Sequence, residues 1–160
     1  MDAEERKTIE TLDTIVRQPR VAKVLEAAVR EAQEELAQNP EAVSVSVAVP
    51  LDVYGEGLPK VIQSSRVFVL RARAKSKRER HPNSHQRVLS YRGAGEIRTL
   101  EATAWRSHFI TNEPSAGIDK RWASVAERIW HQPIAGKDDW AVIAFHTVPQ
   151  DELIDEYQEE

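Results

Sequence analysis

The chain changes character at Asn39-Pro40, and that change does most to limit the folds open to it. Before it, apolar residues recur at helical spacing. After it, they fall in short alternating runs separated by turn residues. Helices gathered at one end, with no regular strand–helix alternation behind them, argue against a doubly wound parallel sheet. Many short strands between turns argue for an antiparallel sandwich or small barrel.

Ile9, Leu12, Ile15 and Val16 predict a helix near 4–17. Pro19 interrupts it and suits the first turn of a second helix, where a missing donor costs nothing. Val21, Val24, Leu25, Ala28, Val29, Ala32 and Leu36 form a stronger apolar stripe over 19–38, with Arg, Glu and Gln opposite. Asn39-Pro40 stops it. An isolated helix of this length is marginal in water, so the stripe must be covered. Its own sheet is the simpler cover, since sandwich edges need protection; a partner subunit is the other.

Val43, Val45, Val47 and Val49 alternate with small residues, a period-two strand signal. Tyr54 to Pro59 reads as a loop, Ser65 to Ala72 as a strand, and Lys75 to Arg78 as a loop. Gln86 to Tyr91 reads as a strand ended by Gly93-Ala94-Gly95, with Glu96 to Leu100 as its hairpin partner. Thr103 to Ile110 and Trp140 to Thr147 are further strands, and Asn112 to Ile118 a loop. Asp151 to Tyr157 is expected to close the chain as a short acidic helix. The expected organisation is a helical extension (1–40), a β-barrel (41–150) and an acidic tail (151–160).

At 160 residues the chain suits a single domain with a real core. Its net charge of -4 favours neither nucleic acid nor an anionic membrane. It has no cysteine, so disulfides and thiolate metal sites are excluded. No apolar run reaches the ~20 residues that span a bilayer. Met1 to Lys7 is charged and lacks a signal-like apolar core. A cytoplasmic location is the expectation.

Glu79-Arg80-His81-Pro82-Asn83-Ser84-His85-Gln86 carries most of the chemistry. It places two imidazoles, a carboxylate and a carboxamide just before a strand. Trp130-His131-Gln132-Pro133 is a second polar–aromatic cluster. Glu79 and His81, two apart, share one face of a strand. With His131 they offer two imidazoles and a carboxylate, the facial-triad pattern of non-haem iron sites. Gln86 is one further donor and His85 the alternative, because a one-residue slip of register exchanges them. His146 is a fifth candidate. Tyr91, Trp105, Trp122, Trp130 and His146 are candidates to line a cavity, although core packing explains aromatic residues equally well. Arg71, Arg73, Lys75, Lys77, Arg78 and Arg80 form a basic run, read as a solvated strand face or as a dock for an anionic substrate. Gly93-x-Gly95 lacks the rest of a dinucleotide fingerprint, and Ser84-His85 lacks the context of a nucleophile elbow.

In spacing these motifs resemble the cupin family, small jelly-roll β-barrels. Glu79-x-His81, four residues, Gln86, six residues and Gly93 reproduce the spacing of the family's first motif. Glu79 replaces its first His and Gln86 its Glu. His131 takes the place of the later His, with Ala126 and Arg128 where the family has a Pro-x-Gly turn. The resemblance covers roughly residues 60–150. It implies a mainly β fold, an antiparallel jelly-roll barrel preceded by two helices. It also implies a divalent metal (Fe, Ni, Zn or Mn) on His81, His131 and Glu79 with Gln86 or His85, a small organic ligand, and a homodimer. Two functions follow: a metal-dependent oxygenase, isomerase or lyase, or a non-catalytic binding or structural barrel with a decayed metal site.

Overall fold

Asp2 opens the first helix, α1 (Ala3–Val16), by accepting a hydrogen bond from the Glu5 backbone N–H at 2.8 Å. The computed structural model describes residues 1–160. The second helix, α2 (Pro19–Gln38), begins on its proline and ends at Asn39. Its last carbonyls have no partner within the helix. The Arg71 guanidinium supplies one, donating to Leu36 O, Asn39 O and Ala42 O at 3.0 Å each. One residue of the basic run is therefore a helix cap.

Ten strands follow: β1 (Ser44–Val49), β2 (Ser64–Leu70), β3 (Arg78–Arg80), β4 (Gln86–Arg92), β5 (Ala94–Glu101), β6 (Ala104–Thr111), β7 (Trp122–Val125), β8 (His131–Ala135), β9 (Trp140–His146) and β10 (Glu156–Gln158). A single helical turn, α3 (Ile118–Arg121), precedes β7. The strands form two antiparallel sheets of order β1-β2-β9-β4-β7 and β10-β3-β8-β5-β6. Pairing is nested: β5 with β6, β4 with β7, β3 with β8, β2 with β9. That is one long hairpin wound into two facing layers, a jelly-roll sandwich.

Three expectations change. The sheets do not close into a barrel: each keeps its own hydrogen-bond ladder. At one side the second sheet is bounded by β3 and β10, three residues each, too short to carry a ladder round to β1. Glu96 to Leu100 is not the hairpin partner of β4. Gly93 (φ 90°) takes the chain from one sheet to the other, and β5 pairs with β6 and β8. The acidic tail is not a helix, because Glu156–Gln158 add a strand to β3.

The first sheet is buried on both faces, and the side-chain period of two decides which residue meets which neighbour. Val67, Val69, Leu89, Ala141, Ile143 and Phe145 face the helices and join Ile9, Leu12, Val21, Leu25, Val29 and Leu36 in one cluster of 19 buried residues. Leu70, Val88, Trp140 and Val142 face the other sheet and meet Ile97, Ile110 and Ala135 in a cluster of nine. Most apolar burial thus lies between helices and sheet, which leaves the space between the sheets free to be polar. The indole of Trp140 covers Gly95, where an added Cβ would lie 2.4 Å from it.

Polar pins hold α1 in register. Arg87 on β4 makes a bidentate pair with Glu5 at 2.9 and 2.7 Å, and Arg121 with Asp13 at 2.6 and 3.0 Å. Burial opposes ionisation of Glu5 and Asp13, but hydrogen bonds from Arg87 and Ser124, and from Arg121 and Trp122, outweigh it and hold both carboxyls below their ordinary values. No helix is long and apolar enough to cross a membrane.

Leu25, fully buried in the helix–sheet cluster, should cost about 2–5 kcal/mol when changed to Ala, read by urea unfolding. The depressed carboxyls contribute stability that is complete above their unfolded-state values and lost as pH falls through the folded ones. Glu5→Gln should therefore lower stability at neutral pH and flatten its acid dependence in the same assay. An unchanged acid profile would mean that the pair contributes nothing.

Candidate metal centre

Strand β3 turns alternate side chains to opposite sides. Arg78 and Arg80 point outward, their guanidinium groups over the rings of Trp105 and Trp130 at 4.8 and 4.7 Å; Arg80 also pairs with Glu156 at 2.6 Å. Glu79 and, beyond the strand end, His81 point between the sheets. His131 on β8 lies directly across from Glu79, so both share the inner face. The proline in this central strand is tolerated because its missing N–H faces the side where β3 has already ended. The Pro133 carbonyl on that side accepts from Ser76 N at 3.0 Å. Candidate ligand atoms of Glu79, His81 and His131 all lie within 4.8 Å of one another.

The opposite sheet adds two groups. Gln86 and His146 are cross-strand partners on the inner faces of β4 and β9. The His146 ring stands edge-on to His81, centroids 4.9 Å apart, and His131 lies 5.2 Å from His81. His81, His131 and His146 are all at most 2% exposed.

Their hydrogen bonds set their tautomers. His81 Nδ1 lies 2.9 Å from the Asp155 carboxylate and 3.3 Å from Ile154 O, and donates to them. His131 Nδ1 donates to Ile129 O at 3.1 Å. Ser84 donates its hydroxyl proton to His85 O, so His146 Nδ1 donates to Ser84 Oγ at 3.0 Å. Each ring therefore turns an unprotonated Nε2 inward. All three Nε2 atoms and the Gln86 carbonyl oxygen are buried without a hydrogen-bond partner. A neutral imidazole anchored through Nδ1 is the form that ligates a metal.

Electrostatics agree with this. Burial, with repulsion from Arg66, His81 and His131, pushes His146 down to about 2. Burial also lowers His81, against the pull of Glu79. Burial penalises Glu79 as an anion, yet the His131 imidazole beside it and the nearby His81 and Arg66 keep its carboxyl below the ordinary value.

The centre sits in a cavity of about 460 Å³ between the sheets, lined among others by Phe68, Ile97, Val142, Arg66 and Tyr157. The other sequence candidates are elsewhere. His85 points to the helices, 2.6 Å from Ser124 Oγ and 3.5 Å from Glu5. Tyr91 contacts Ala22 O and Glu26 on α2. Trp105 and Trp130 carry arginines on the outside, and Trp122 packs in the helix–sheet cluster. Sequence reasoning missed Ser84, Asp155 and Arg66. Arg66 left a signal, a charge on the face shared by Phe68 and Leu70. Ser84 and Asp155 left none, because their contacts cross long stretches of chain.

No protein-family model matches the chain, and no curated protein matches its sequence. Solved structures do match its fold. A Lactobacillus farciminis oxalate decarboxylase in complex with formate superposes with a TM-score of 0.55 at 9% identity, over 72% of this chain and 31% of that one. An oxalate oxidase holding the substrate analogue glycolate gives 0.54 at 10% identity, over 71% and 55%. Pumpkin seed globulin gives 0.55 at 15% identity, over 73% and 28%. This chain thus spans between about a quarter and a half of their lengths.

In metal-free protein, long-range proton–nitrogen NMR should place the lone pair of His81 and His146 at Nε2, with His146 not titrating between pH 4 and 8. The unfolded chain takes up that proton near the ordinary histidine value of 6.5 and the folded chain does not. Stability should therefore fall as pH drops below that value. An imidazolium signal from His146 at pH 6 would contradict the tautomers assigned above.

Proposed function

We propose that this protein, whose fold is cupin-like, binds one divalent transition metal through Glu79, His81 and His131, with His146 and Gln86 completing the set. On this proposal it uses the centre to bind and transform a small organic ligand. The observation that carries the proposal is the convergence of orphaned, buried acceptors. Each unpaired acceptor costs about 1–3 kcal/mol. One cation would satisfy them together. Imidazole with carboxylate suits Fe, Ni, Zn or Mn. The bound metal would supply Lewis acidity or a site for oxygen, the chemistry of an oxygenase, isomerase or lyase. The chain's own contribution is positional. Asp155 and Ser84 hold two rings, Glu79 offsets cationic charge, and the sheets exclude bulk water.

A metal-free binding barrel has one observation in its favour. Glu79 and His131 lie 3.4 Å apart and can pair with each other. Metal analysis of protein purified without a His tag separates the two. After incubation with Zn, Mn, Fe or Ni, one equivalent should remain bound. His81→Ala and His131→Ala should abolish it with circular dichroism unchanged. Asp155→Asn should weaken affinity about 10–100-fold through the freed ring. Wild-type protein that retains no metal would leave only the metal-free barrel.

A homodimer is part of the same proposal. The edge strand β6 carries Phe109, 69% exposed. Light scattering should give twice the chain mass, and Phe109→Ser should lower it; a monomeric wild type would remove this part.

A further inference from the structure

Arg66 stands out among the side chains that face the cavity. It lies on the inner face of β2, flanked across both neighbouring strands by Ala48 and Ala144. Those small side chains leave room for a guanidinium. Half-buried, it makes no hydrogen bond and no ion pair, yet it is close enough to bias the ionisation of Glu79 and His146. Three arginines of the basic run are otherwise employed: Arg71 caps α2, and Arg78 and Arg80 stack on tryptophans. Lys75 and Lys77, both exposed, also line the cavity, whose only carboxylate is Glu79. Three fixed cations thus face one anion, and the remaining wall includes Phe68, Val88, Ile97 and Val142.

We propose that the cavity receives a small monocarboxylic acid with an apolar body, gripped at its carboxylate by Arg66 and covered by Phe68, Ile97 and Val142. This names the ligand class of the cavity described above and rests on its being a ligand site, not on the metal. The planar fork of a guanidinium matches a carboxylate with two parallel hydrogen bonds. One such fork beside apolar wall suits a single negative charge. A phosphate dianion would call for several inward donors, whereas the two lysines are exposed and serve to attract anions to the opening. A cavity of about 460 Å³ is in the range of ordinary small-molecule sites.

The test uses the full chain, metal-free and zinc-loaded, titrated calorimetrically with 3-phenylpropionate, hexanoate, their primary amides and inorganic phosphate. In metal-free protein each acid should bind at least tenfold more tightly than its amide, and phosphate more weakly than either acid. Arg66→Gln should remove the preference and still take up zinc. Arg66→Lys keeps the charge without the fork, and guards against a misfolded first variant. It should lose several-fold in acid affinity with amide affinity unchanged. Equal binding of acid and amide, tighter binding of phosphate, or a preference that survives both substitutions would overturn the proposal. Failure here with zinc bound leaves the metal centre standing. An Arg66-dependent acid preference without zinc uptake does the reverse.

Discussion

The burial of the first sheet's outer face under α1 and α2 is the contact on which the rest of the structure depends. A two-layer sandwich ordinarily finds its apolar core between its sheets. Here the larger apolar cluster lies outside that space, between helices and sheet. Only nine buried residues form the cluster between the sheets. Stability supplied from outside permits a polar interior, and that is where three imidazoles, a carboxylate and a guanidinium gather.

Such an interior is costly unless its polar groups are satisfied. The chain meets part of that cost on the outer side of each ring: Asp155, Ile129 O and Ser84 take the Nδ1 protons. Two of these partners come from segments that look incidental in one dimension. Ser84 lies in the turn before β4, and Asp155 just before the last strand. The tail therefore has two tasks. It extends the second sheet through β10 and orients His81. The inner side of each ring is left without a partner, an asymmetry that packing alone does not require.

His85 and Gln86 illustrate how period two settles a question that adjacency leaves open. They are neighbours on one strand, yet one meets α1 and the other the cavity. Arg87, Leu89 and Tyr91 follow His85 towards the helices; Val88 follows Gln86 inward. The strand is buried on both faces along Gln86 to Ser90. Its sequence therefore shows no polar–apolar alternation from which the register could be read. Tyr91, Trp105 and Trp130 resisted placement for the same reason: an aromatic ring suits a pocket wall, a helix interface or an arginine stack equally well.

Several features belong to the sequence by itself. Helical periodicity with Pro19 and Asn39-Pro40 sets both helices nearly to the residue, since capping and periodicity are local. Alternating valines and turn residues announce an antiparallel β fold, and the spacing from Glu79 to Gly93 singles out the segment that bears Glu79, His81 and Gln86. Tertiary structure alone decided the rest. Gly93 sends the chain to the other sheet instead of into a hairpin, and the tail becomes a strand because β3 offers it an edge. His146 joins His81 across more than sixty residues, and Arg66 is left unpaired in the cavity beside them. Local propensity reports the conformation of a segment. Which segments become neighbours depends on how two sheets and a helix layer bury their apolar faces together, and no single segment carries that information.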